Sequence, residues 1–185
     1  GPPNLIRNPS FETATTGWNG YAGATLARVA GAHDGTWALE LRGPATLATF
    51  GLNDAPNWVS PTAGAGTRYL FSAWVRSDAA LGSARLQVRE YLGGVLQGLV
   101  THSVFLPLAV GWQQLSVEYV ATAAGSSLDF QVLDVPVAPG EVFEVDDVAA
   151  VVTGTVNLTP NLVRNPSFEA VTTGWGAYAG DTLAR

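Results

Sequence analysis

Residues 69–76, YLFSAWVR, alternate with a period of two: Tyr69, Phe71, Ala73 and Val75 share one parity, and Leu70, Ser72, Trp74 and Arg76 share the other. A β-strand sends successive side chains to opposite faces, so this stretch predicts a strand with its first set in a core. RLQVREYL (85–92) follows the same logic, placing Leu86, Val88 and Leu92 together and Arg85, Gln87, Arg89 and Tyr91 opposite. QLSVEYVA (114–121) and LDFQVLDV (128–135) offer Leu115, Val117 and Tyr119, then Leu128, Phe130 and Val132, as apolar faces. Between the runs stand GPAT, SPTAGAG, YLGG, PLAVG, ATAAGSS and VAPG, rich in the residues that turns require. No stretch combines helix caps with a sustained 3.6-residue period. Many short strands punctuated this way predict an all-β chain, a two-sheet antiparallel β-sandwich of the jelly-roll kind.

A hydrophobic share of 47% against 13% charged residues excludes disorder and permits a substantial core. The apolar runs are short and broken by Gly and Pro, so no membrane span is expected. The basic residues are all arginine and the net charge is −6, which argues against nucleic acid as a partner. With no cysteine there is neither a disulfide framework nor a thiolate site. His33 and His102 lack a second ligand at zinc spacing and any recognisable nucleophile motif, so the chain is not expected to be an enzyme.

NLIRNPSFETATTGWNGYAGATLAR, residues 4–28, recurs at 161–185 with small exchanges such as Ile6/Val163 and Thr13/Ala170. The interval from Asn4 to Asn161 suits one domain. The expected organisation is a sandwich over 1–157, then a linker and the N-terminal fragment of a second, near-identical repeat over 158–185, within a longer protein. Because the copy carries the same register and side-chain pattern, its exchange into the first-strand slot of another copy is a further expectation.

Four segments in fixed order support a resemblance: NLIRNPSFE with TTGW at the start, GAHDGTWALEL at 31–41, GTRYLFSAWVRSD at 66–78, and the closing GWQQLSVEYVATAAGSSLDFQV with FEVDDVAAV. Over residues 1–152 the chain resembles bacterial carbohydrate-binding modules of families four, nine and twenty-two, galactose-binding-like jelly rolls usually appended to polysaccharide-degrading enzymes. The resemblance implies non-catalytic polysaccharide binding by a secreted or surface protein of a bacterium. Neutral glucan, xylan and uronate-containing polymer stay open as targets. A structural spacer or adhesion repeat that binds no glycan is the alternative.

Asp146 and Asp147 interrupt the otherwise apolar EVFEVDDVAAVV, so one of them is expected to point inward, where an unpaired carboxylate is costly. The resemblance implies a structural calcium ion (Ca2+) held by Glu12 and Asp146, with carbonyls of the 31–37 loop completing its shell. Turn hydrogen bonds, or a pair with an arginine such as Arg7, are the alternative. Sugars are gripped by aromatic faces and planar polar groups on the non-core parity of strands. The candidates are Trp74, Arg76, Gln87, Arg89, Tyr91 and Gln131, with Trp58 and Tyr21 as a rim. Packing beneath a loop is the rival role for Trp74, and loop anchoring for Trp58 and Tyr21. Arg76 with Arg85 or Arg89 would suit a uronate carboxylate. Trp18 and Trp112 are read as structural plugs rather than ligand contacts.

Overall fold

A computed structural model describes residues 1–158, so the repeat fragment, from Thr159 on, lies outside the described residues. The strands are β1 (Trp18–Tyr21), β2 (Thr25–Ala30), β3 (Trp37–Arg42), β4 (Phe50–Asp54), β5 (Thr67–Arg76), β6 (Ser83–Leu92), β7 (Val95–His102), β8 (Leu106–Pro107), β9 (Gln113–Val120), β10 (Ser127–Val135) and β11 (Val142–Thr155). They form two antiparallel sheets. One is six-stranded in the order β1-β4-β10-β6-β7, with β8 also pairing β6; the other is five-stranded in the order β2-β3-β11-β5-β9. The chain passes repeatedly from one sheet to the other, as the predicted sandwich requires. No helix of the described residues is long and apolar enough to cross a membrane.

The core lies between the sheets. β5 alternates buried and half-buried residues along its whole length, with Tyr69, Phe71, Ala73 and Val75 inside. Leu115, Val117 and Tyr119 of β9 and Leu128, Phe130 and Val132 of β10 are buried as their parity predicts. Phe71 and Phe130 stack across the sandwich with ring centroids 4.8 Å apart. Each such buried large side chain contributes about 1.5–3 kcal/mol relative to exposure. The segment before β1 joins this core through Ile6 and Phe11. Leu5 N–H donates to Ala150 O at 2.8 Å, and Val148 N–H donates to Pro9 O at 2.9 Å. Trp18 is buried, its Nε1–H donating to Asn8 O at 2.8 Å, the structural role expected of it.

Three expectations need correction. Leu92 is 41% exposed because β6 has reached its turn, and on the core parity Glu90 is fully buried instead. The Glu90 carboxylate accepts from Tyr119 Oη, from the backbone N and Oγ1 of Thr122, from Ala123 N and from Ser126 Oγ. Burial alone would raise its pKa, but the bonds from Ser126, Thr122 and Tyr119 outweigh it and hold the group below the usual glutamate value. Trp112 does not plug a sandwich end; it is half-buried, with the Arg76 guanidinium 5.0 Å from its ring centroid. Asp146 is buried without entering the core between the sheets. It pairs with Trp74 in register, on the outward parity of β11, and the 31–36 loop covers it. A register shift between Asp146 and Ala149, with Asp147 at φ 44°, then returns Val148 to the core.

Candidate functional site

Strand register carries one row of polar side chains across the outer face of the six-stranded sheet. Asn19 pairs with Asn53, Asn53 with Gln131, Gln131 with Gln87, and Gln87 with His102. Four of these form a chain of hydrogen bonds running in one direction. His102 Nε2 lies 2.7 Å from Gln87 Oε1, Gln87 Nε2–H donates to Gln131 Oε1 at 2.5 Å, and Gln131 Nε2–H donates to Asn53 Oδ1 at 2.7 Å. Asn53 Nδ2–H ends the chain on Asp54 O at 2.7 Å. Burial, and next the charge of Arg85, lower the His102 pKa and favour the neutral ring; because Gln87 Oε1 can only accept, the tautomer protonated at Nε2 is the one that fits the chain. Such a chain fixes every amide orientation and polarises each bond along it. Gln131 is fully buried and Gln87 is 8% exposed, so the accessible polar groups of the row are those of Asn53 and His102 at its ends.

The flanking rows are also built. Arg89 grips Asp129 Oδ2 through Nε at 2.9 Å and Nη2 at 2.7 Å, and Gln131 Nε2–H donates to the same oxygen at 3.1 Å. Burial raises the Asp129 pKa against the opposing charge of Arg89. One strand step further, Tyr91 pairs with Ser127, whose hydroxyl lies 2.7 Å from that of Ser60. On the other side of the amide row, Tyr21 pairs with Gly51, Gly51 with Leu133, and Leu133 with Arg85. Beyond Ser127 the face ends in a cavity of about 580 Å³ lined by Arg7, Pro56, Asn57, Trp58, Ser60 and Ser127. The loop carrying Trp58 is held from below by buried Asp54: Oδ2 accepts from Trp58 N at 3.0 Å and Oδ1 from Phe130 N at 2.9 Å.

No protein-family model and no curated protein sequence matches the chain. Solved structures do match. The CBM22-1 xylan-binding domain from Paenibacillus barcinonensis Xyn10C aligns with a TM-score of 0.63 at 18% identity, over 84% of this chain and 97% of that one. The chain has the fold of a family 22 carbohydrate-binding module. The CBM22-1–GH10 modules of Clostridium thermocellum Xyn10B, complexed with xylohexaose, align with a TM-score of 0.64 at 16% identity, over 82% of this chain and 29% of that one. The enzymatically active domain of bacteriophage CBA120 tailspike protein 4 aligns with a TM-score of 0.64 at 10% identity, over 80% of this chain and 21% of that one. At these identities the likeness is one of fold.

Within this CBM22-like sandwich, Gln87, Arg89, Tyr91, Gln131 and Tyr21 share the outer face of the six-stranded sheet, and Trp58 stands at its end. Trp74 and Arg76 do not join them. They lie on the outer face of the five-stranded sheet, on the opposite side of the sandwich. His33 lies flat on Trp74 with ring centroids 3.7 Å apart and planes 15° apart. Arg76 Nε is 2.7 Å from Glu144 Oε2. Parity tells in from out within a strand but does not say which sheet the strand joins. Asn53, Asp129 and His102 escaped the sequence reading. The parity of Gln131 would have found Asp129, whereas Asn53 and His102 needed the cross-strand register.

The second predicted site presents different chemistry. Glu12 Oε1 accepts from Thr36 N and Trp37 N, both at 3.0 Å. Asp146 Oδ2 accepts from His33 N at 2.8 Å and Asp34 N at 3.2 Å, and its Oδ1 accepts from Asp147 N at 2.8 Å. The loop therefore turns N–H groups toward the carboxylates, where the calcium expectation placed carbonyl oxygens. Among the described residues no group of three or more His, Cys, Asp or Glu stands close enough to hold a metal ion. This donor set suits two anions held by backbone amides and does not suit a cation, which needs six to eight oxygens.

Proposed function

We propose that this chain is a non-catalytic polysaccharide-binding module of a secreted or surface protein, taking one polysaccharide chain across the outer face of its six-stranded sheet. The directional amide row from His102 through Gln87 and Gln131 to Asn53 carries the reading. Gln131 is fully buried and Gln87 nearly so, and they lock the row from within. Asn53 and His102 at its ends, fixed in orientation before binding, can exchange hydrogen bonds with sugar hydroxyls at little ordering cost. Tyr91 and Tyr21 supply aromatic surface on either side of the row. Asp129, the carboxylate of this face, is locked to Arg89, an arrangement that holds geometry rather than moves protons. Xylan is the first ligand to try, since a solved module of the same fold is described as xylan-binding.

Titration calorimetry against xylan, mixed β-glucan and a uronate-containing polymer tests the reading. Tyr91→Ala and Gln87→Ala should each weaken binding about tenfold or more while the melting transition stays cooperative. If none of the polymers binds, the sandwich is a spacer or adhesion repeat.

A further inference from the structure

Of the seven arginines among the described residues, six are engaged. Arg28 donates to Phe11 O, Arg42 lies near Glu40, Arg68 near Glu118, Arg76 on Glu144, Arg85 over Phe105 and Arg89 on Asp129. Arg7 has neither an ion pair nor a side-chain hydrogen bond among the described residues, and it is exposed. It is the one charged residue lining the cavity of about 580 Å³ at the end of the sheet face. An uncompensated guanidinium lining a concave pocket of mixed polar and apolar wall has the chemistry to take an anion against the chain's net charge of −6, because its fork matches a carboxylate bidentately.

The neighbours fit a sugar that bears that anion. Ser60 and Ser127 present hydroxyls 2.7 Å apart, Asn57 an amide, and Trp58 an indole wall. Trp58 is well fixed: its backbone N–H is held by Asp54, and its six-membered ring packs so closely on Gly17 that a Cβ there would lie 2.0 Å from Cζ2. Ser127 stands four residues along β10 from Gln131, about 13 Å in an extended strand, so a short oligosaccharide reaches from the amide row to the pocket.

We infer that this pocket is a subsite for a carboxylate-bearing sugar, with Arg7 recognising the carboxylate and Asn57, Ser60 and Ser127 the hydroxyls. The inference rests on the reading of the sheet face as a polysaccharide-binding surface and adds its ligand class, a uronate-substituted chain.

The test compares glucuronoxylan with the same polymer after chemical reduction of its carboxyl groups. The unmodified protein should bind the acidic form about tenfold more tightly, the size of one charge-assisted contact. In Arg7→Ala the two polymers should bind alike, and in Arg68→Ala, on the opposite sheet, the preference should persist. A preference retained in Arg7→Ala overturns the inference, as does equal binding of both polymers by the unmodified protein. If neither polymer binds, the sheet-face reading has failed, and the pocket is then tested by itself with methyl glucuronide. The Trp58 indole resonance should shift with methyl glucuronide, stay still with methyl xyloside, and lose its response in Arg7→Ala; no shift with the acid overturns the pocket as well.

Discussion

Asp134 and Glu141 aim carboxylate oxygens at one point beside Gly82: a Cβ built on that glycine would stand 2.3 Å from Asp134 Oδ1 and 2.6 Å from Glu141 Oε2. Asp134 occupies the core parity of β10, paired with Phe50, and is fully buried. With both groups ionised, Glu141 Oε2 has no donor and Asp134 has only a weak backbone contact from Ser83 N–H, too poorly formed to count as a hydrogen bond. A proton on Asp134 supplies the missing donor, and the pair becomes a hydrogen-bonded acid and carboxylate. Burial, and then the charge of Glu141, push Asp134 from 3.8 up to about 7.

Stability should therefore fall as pH rises from about 4 to about 7. Below 3.8 the folded and unfolded chains are both protonated at Asp134 and the contribution is fully present; through the window only the folded chain keeps the proton; above about 7 the contribution is gone. Asp54, which burial also raises to about 7, adds a slope of the same sign. Thermal melts from pH 4 to pH 8 measure it, and Asp134→Asn should make the slope shallower. An unaltered slope in that variant would falsify the shared proton.

Glu90 should act in the opposite direction. Its pKa is held below 4.5 in the fold, so the stability it contributes is present above the unfolded value and is lost as pH falls through the lowered one. Replacing it with Gln keeps the shape but turns one acceptor oxygen into a donor amid groups that already donate, from Tyr119, Thr122, Ala123 and Ser126. Glu90→Gln should cost about 1–3 kcal/mol in urea unfolding and remove the acid-side loss. A variant as stable as the parent at neutral pH would show that the network is dispensable.

Glu12 and Asp146, as anions held by amides, tie the 31–37 loop to the strands. Glu12→Gln and Asp146→Asn should each lower the melting temperature, while chelator and added calcium leave the parent protein unmoved. A calcium-dependent rise that Asp146→Asn abolishes would reinstate the ion and show that the loop turns carbonyls toward it on binding.

Trp74→Ala should leave polysaccharide affinity unchanged, because the indole lies beneath His33 on the sheet opposite the amide row. The expected effect is structural, a looser 31–36 loop with a lower melting temperature. Affinity falling with the fold intact would move the binding face to the five-stranded sheet.

The periodicity of YLFSAWVR and LDFQVLDV made the core legible because alternation reports burial directly, and Phe71 and Phe130 meet where it placed them. The site was legible only in part. Gln87 and Gln131 stood out as polar residues on the outward parity, yet their bond depends on β10 lying beside β6, a pairing between strands distant in sequence. Trp74 obeyed the same parity rule and landed on the other sheet. Arg7 is visible as a cation next to Asn8, but its lack of a partner is a three-dimensional fact.

Residues 4–28 supply the buried Ile6, Phe11 and Trp18, the whole of β1 and the start of β2, and both strands lie at sheet edges. An edge strand can be replaced without breaking a ladder on its outer side. Residues 161–185 carry the equivalent Val163, Phe168 and Trp175, so they hold the side chains that this slot selects. Exchange of that segment into the slot of another copy joins head to tail, a contact that closes into a ring or extends as a filament. Light scattering should show mass rising with concentration for residues 1–185 and constant mass for a chain ending at Leu158. Trp18→Ala should weaken the chain's own first strand in the slot and raise the share of exchanged species, since the copy keeps Trp175. Equal masses for the two chain lengths at every concentration would leave the segment to its own repeat and rule out exchange.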